Sequence, residues 1–242
     1  MDDITTLIYN DAMTGSGFFA ALLVGLIPSL LWLFFWMRED ATHSEPRSLL
    51  AGCFFAGMLA VLLAIPIEQF LAGLAHTESM KYIFWAATEE ILKFVAVGCV
   101  ALMTRYNDEP VDAMIYCIAV ALGFAALENT LFVMTPLSHG DLASSIIHGN
   151  LRSIGATLVH VVSSSFIGFG LGLTFYRGRA MKFFFWAIAL GAAIAVHASF
   201  NITVVSASTN DTLKAFGWIW GAVVIMIILF EEVKAVRPKL VS

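Results

Sequence analysis

Seven blocks of apolar residues, each about long enough to cross a bilayer, govern what this chain can become. They run roughly over 17–36, 49–72, 82–103, 111–135, 153–175, 183–203 and 213–231. Only 13% of the 242 residues are charged and 60% are hydrophobic, with a mean hydropathy of +0.86. A soluble domain of this size carries roughly a quarter charged residues. The blocks therefore predict an all-α polytopic transmembrane helical bundle, a single membrane-embedded domain over 1–242, with its chemistry in helices about 82–203. The longest connector, 136–152, has room for a short interfacial helix.

Loop charges give the orientation. With the N-terminus outside, Arg38, Arg47, Arg105, Arg177, Arg179, Lys182, Lys234, Arg237 and Lys239 are cytoplasmic. Lys81, Arg152 and Lys214 are outside, and Lys93 lies in a span. Nine against three is the positive-inside bias of an N-out, C-in chain with seven spans. The acidic start, M-D-D-I-T-T, lacks the basic region of a cleavable signal, so the first block reads as a retained span. No basic stripe suggests nucleic acid. Cys53, Cys99 and Cys117 sit in apolar runs without metal or disulfide spacing.

Against that apolar background the polar groups stand out, because ionisable residues inside a membrane are costly and mark function. The third span holds A-T-E-E-I-L-K-F with Glu89, Glu90 and Lys93. The fourth holds Glu128 and Asn129, the fifth His160 followed by Ser163, Ser164 and Ser165, the sixth His197 and Asn201. At 1.5 Å per residue, Glu89, Glu90, Glu128, His160 and His197 all fall roughly 10–12 Å from the outer ends of their helices. Four helices thus bring acids and imidazoles to one level in the outer half of the bilayer. Left charged in lipid, four such groups would cost on the order of 10–14 kcal/mol, so they must face a shared polar interior.

Spacing divides the tasks. Lys93 lies three and four residues beyond the acids and reaches either. Glu89 and Glu90 are about 100° apart around the helix, so one can be held while the other faces a cavity. An ion-pair clamp between helices needs one acid, not two. Glu68, near the outer end of the second span, and Ser163–Ser165 read as structural, His76, His139 and His148 as loop residues, and Phe124 as packing. Two ways of activating water fit these groups. In one a carboxylate activates water directly, with His and Asn groups as oxyanion donors. In the other Glu89, Glu90, Glu128, His160 and His197 supply an N/O ligand set suited to Zn²⁺.

The motifs E-E-x-x-K (Glu89 to Lys93), F-x-x-x-E (Phe124 to Glu128), His160 and H-x-x-x-N (His197 to Asn201) occur in order, each in its own span. This pattern resembles the PrsW family of intramembrane proteases, related to the CAAX-processing and bacteriocin-immunity proteases. The resemblance implies an intramembrane endopeptidase of the cell membrane. It makes Glu89 or Glu90 the general base, with Glu89 favoured, Lys93 the holder of the partner acid, and His197 with Asn201 the groups facing an oxyanion. Those CAAX-processing relatives have F-x-x-x-H where this chain has Glu128, which leaves Glu128 as a second water-activating group or a metal ligand. A single-span membrane protein cut near its extracytoplasmic side is the implied substrate, and first-site cleavage of an anti-sigma factor the implied role. A non-catalytic scaffold, like the scaffold subunit of gamma-secretase, and a proton-linked transporter are the alternatives. The second acid speaks against the first, and the lack of an evident repeat against the second.

Overall fold

The computed structural model describes residues 15–39, 45–137, 142–205 and 209–238. Seven helices account for nearly all of them, with no strand among the described residues. They are α1 (Gly15–Glu39), α2 (Arg47–Ala72), α3 (Glu78–Val97), α4 (Asp112–Leu137), α5 (Leu142–Leu173), α6 (Arg179–Val205) and α7 (Thr209–Lys234). Five are long and apolar enough to cross a membrane, over Ala21–Arg38, Arg47–Ala72, Asp112–Met134, Gly155–Leu173 and Arg179–Val204. Helix α3 falls short of that standard because Glu78, Lys81, Glu89, Glu90 and Lys93 lie within its 20 residues. Helix α7 carries the apolar run 217–230. The chain is an all-α integral membrane bundle.

One expectation changes. The connector before the fifth span holds no separate interfacial helix: the described part from Leu142 is continuous with α5, which runs 32 residues to Leu173. No proline or glycine pair interrupts the helix to split it there. His139 and Lys239 lie outside the described residues, and the side chains of His148, Arg152 and Lys214 lie outside those described.

Helix α4 is the hub. Residues 110–126 are buried without a break, as expected of a helix apolar on every side. Lipid tails offer no hydrophobic drive between helices, so close backbone approach has to hold them. Glycine permits it here: a Cβ at Gly57 of α2 would lie 2.0 Å from the Val120 carbonyl oxygen, and one at Gly123 of α4 would lie 1.8 Å from that of Phe54. The two helices touch main chain to main chain at mid-bundle. Gly123→Ala should therefore separate them, at a cost near the upper end of the roughly 1–3 kcal/mol of overpacked cores. A drop in folded yield and thermal midpoint in detergent checks this.

The ends of the bundle differ. At one end the Tyr116 hydroxyl bonds Glu45 and the Tyr106 carbonyl oxygen at 2.8 Å, joining the connections before α2 and before α4. The close approach of Gly172 to the Pro110 carbonyl and to Val233 brings the C-terminal parts of α5 and α7 to the same end. This is the alternation of connections that the loop-charge count requires. At the other end α3 begins at Thr77, whose hydroxyl caps it by accepting from the Met80 N–H at 3.2 Å. Tyr82 and Trp85 pack edge to face 5.6 Å apart, with the Lys81 ammonium 4.8 Å from the Trp85 ring. Such an amphipathic aromatic pair marks a membrane–water interface. Glu89 lies four residues farther along α3, about 6 Å deeper.

Candidate active site

One turn inside that aromatic belt, helices α3, α4, α5 and α6 bring their ionisable groups into one connected cluster. Glu89, Glu90, Lys93, His160 and His197 are each at most 5% exposed. The burial is tolerated because most of the polar atoms are satisfied.

Glu90 is the held acid. Its Oε1 accepts from Lys93 Nζ at 2.6 Å, from Ser163 at 2.8 Å and from His197 Nδ1 at 2.8 Å. Its Oε2 accepts from Ser164 at 2.9 Å. Donors from three helices thus fix one carboxylate, which identifies it as an anion built into the frame. His160, Ser163 and Ser164 share a face of α5 because they stand at i, i+3 and i+4. That spacing was legible in H-V-V-S-S. Ser163 and Ser164 are structural residues with a specific task that the local sequence does not state, the positioning of an acid.

The tautomers follow from the partners. Lys93 can only donate, so His160 Nδ1, 3.0 Å from its ammonium, accepts. His160 Nε2 then carries the proton and donates to Glu128 Oε2 at 2.6 Å. His197 donates through Nδ1 to Glu90, leaving the Nε2 lone pair facing inward. Phe124 packs as expected, but against the site: its ring lies 5.3 Å from that of His160 and 5.0 Å from the Lys93 ammonium.

Glu89 is the other kind of acid. Its Oε2 is buried and has no hydrogen-bond partner, yet it lies 3.6 Å from His197 Nε2 and 3.7 Å from His160 Nδ1. Glu89, His160 and His197 each offer a ligand atom, all within 4.8 Å of one another. Tetrahedral zinc with ligands at 2.0–2.2 Å sets neighbouring donors about 3.3 Å apart, near the 3.6 and 3.7 Å from Glu89 to the two imidazoles. The carboxylate–imidazole pair Glu90–His197 is the arrangement that orients a metal-binding histidine. The residues fit a metal, with an ion taking the place of Lys93 at His160 Nδ1. Glu90 is not in this three-residue group; its oxygens already accept from Lys93, Ser163, Ser164 and His197.

Two spaces adjoin the cluster. A cleft of about 220 Å³ lies between α2 and α4 and reaches Glu89, with Glu68, Phe124 and Glu128 among its walls. A smaller space of about 20 Å³ is lined by Glu128, His160, His197 and Asn201, room for one water molecule. Asn129 stands apart, its Nδ2 donating to Thr157 at 3.0 Å and tying α4 to α5.

The sequence profile of the PrsW family intramembrane metalloproteases matches residues 45–233, most of the chain and every helix that contributes to the cluster. The chain belongs to the PrsW family. It is similar to Protease PrsW of Geobacillus kaustophilus, 26% identical over 172 residues that cover 70% of this chain and 73% of the relative. It is 24% identical to Protease PrsW of Bacillus subtilis over 197 residues, covering 78% and 85%. The corresponding protein of Clostridioides difficile is 23% identical over 166 residues, covering 66% and 68%. No solved structure matches. As a PrsW protein the chain is an intramembrane peptide hydrolase, and neither the scaffold nor the transporter alternative is the reading of this family.

Proposed function

We propose that this PrsW protein cuts a single-span membrane protein near its extracytoplasmic side, with Glu89 as general base. The observation that carries this reading is the buried, unbonded Glu89 Oε2, aimed at two imidazoles at the end of a cleft. A base must have a lone pair free for the proton it takes. Glu90 has none to spare, so the division of labour between the adjacent acids favours Glu89.

Hydrolysis then runs as follows. Glu89 takes a proton from water as its oxygen attacks the scissile carbonyl carbon. The C–O bond forms and the carbonyl π electrons become an oxyanion. The same proton passes from Glu89 to the leaving amine as the C–N bond breaks. Asn201, on the face of α6 shared with His197, can donate its amide N–H to the oxyanion. His197, protonated at Nδ1, offers a lone pair rather than a proton toward the site, which suits a ligand better than an oxyanion donor. Glu128 holds the His160 ring in place. A zinc ion held by His160, His197 and one carboxylate oxygen of Glu89 would supply Lewis acidity toward water and carbonyl oxygen, with the other Glu89 oxygen left to take the proton.

Because Glu89 lies about one helical turn below the aromatic belt, the scissile bond falls near the membrane surface at that end. The loop charges make that end extracytoplasmic. An anti-sigma factor with one span is the kind of substrate that this position suits. Co-expression with a panel of single-span reporters, tagged at both ends, tests the reading. The expected product retains the span and cytoplasmic tag and loses most of the extracytoplasmic part; cleavage on the cytoplasmic side would overturn it. Metal analysis of the purified full-length protein is expected to find about one zinc per chain, reduced by His197→Gln. Full cleavage activity without bound metal would leave the direct carboxylate version.

A further inference from the structure

We infer that the cleft between α2 and α4 seats an extended stretch of substrate polypeptide, and that Glu68 is its substrate-binding residue on the α2 wall. This rests on the protease reading above and says where the substrate lies. The α2 wall is formed by Val61, Ala64, Ile65 and Glu68, the α4 wall by Phe124, Glu128, Leu131 and Phe132, and Glu89 lies between them. Both walls belong to helices that cross the membrane. The surrounding α2 surface is greasy and outward-facing, with Leu62, Leu63 and Phe70 more than half exposed. The cleft therefore connects lipid with the base.

Its polar atoms state what enters. Glu68 Oε1, like Glu89 Oε2, is buried without a hydrogen-bond partner. Unbonded polar atoms at membrane depth are expensive, and a carboxylate oxygen needs a donor. A lipid acyl chain brings none. A helical polypeptide brings none along its flank, since its N–H groups are used internally. An extended polypeptide turns successive N–H groups to alternate edges, one at each step of about 3.3 Å, and none of them is used internally. The same unwinding exposes the carbonyl that hydrolysis must reach. The α2 wall is also held to α3, because the indole N–H of Trp85 donates to the Glu68 carbonyl oxygen at 3.4 Å. Substrate held by Glu68 is therefore registered against the helix that carries the base.

The test uses the full-length protein and a doubly tagged single-span reporter that the wild type cuts. A photo-reactive benzoylphenylalanine replaces Ile65 in the cleft or, as control, Ile188 on the outer face of α6, each in a Glu89→Gln background that stalls turnover. An adduct with the reporter at position 65 and not at 188 is expected. Adducts with lipid alone at 65, or equal reporter adducts at both positions, would overturn the seat. In the active protein Glu68→Gln should raise KM for the reporter about tenfold while lowering kcat far less. A fall in kcat at unchanged KM would make Glu68 something other than a substrate-binding residue. If the wild type cuts and position 65 stays unlinked, only the seat fails. If no reporter in the panel is cut, the protease reading falls and takes the seat with it.

Discussion

Glu89→Gln is expected to lower reporter cleavage by at least about a hundredfold, while the protein inserts and accumulates as the wild type does. The asymmetry comes from bonding. Glu89 Oε2 accepts no hydrogen bond, so exchanging the carboxylate for an amide takes away a base without breaking a structural contact. Glutamine keeps the shape and loses the capacity to take a proton. Immunoblots of reporter and protease from the same membranes check both halves of the expectation. Normal cleavage by Glu89→Gln would remove the base assigned here; loss of the protein itself would make Glu89 a structural residue.

Its neighbour should behave differently. Glu90→Gln is expected to destabilise the bundle by about 3–5 kcal/mol, the cost of leaving one partner of a buried ion pair without the other. Lys93 is 2% exposed, and the change takes away the carboxylate that its ammonium bonds at 2.6 Å, leaving the His160 ring as its other hydrogen-bond partner. Against a net stability of about 5–15 kcal/mol this is large. Lys93→Met added to Glu90→Gln should recover part of the loss, because the double variant buries no unpaired charge. Thermal unfolding in detergent of the two single variants and the double variant measures the coupling, expected above about 1 kcal/mol. Strict additivity would mean that Lys93 and Glu90 do not act as a pair. Activity should stay absent throughout, since the acceptor at His197 Nδ1 also loses its negative charge.

These contrasting outcomes show how far one sequence reaches. That Glu89, Glu90, Lys93, Glu128, His160 and His197 share a level was legible, because helical rise converts position in an apolar block into depth. That the two acids have different surroundings was legible from their angular separation. Which acid faces the cleft was not, because it depends on the rotation of α3 against α5 and α6. Ser163 and Ser164 lie 73 and 74 positions from the carboxylate they hold, and no local pattern states that contact. Glu68 was visible as an acid near the end of a span, yet its part in the cleft appears only once α2 is laid against α4. The start of α5 is illegible for a related reason: polar residues in 142–152 look like a surface connector, while the backbone from Leu142 is continuous with the helix.

The Gly57–Gly123 contact has a mechanical meaning as well as a packing one. Two backbones in direct touch cannot approach further, and α2 is fastened again at its start through the Glu45–Tyr116 bond and toward its end where the Trp85 indole N–H donates to the Glu68 carbonyl oxygen. A rod pinned at three points does not rock, so the width of the cleft beside Glu89 is set before anything enters it.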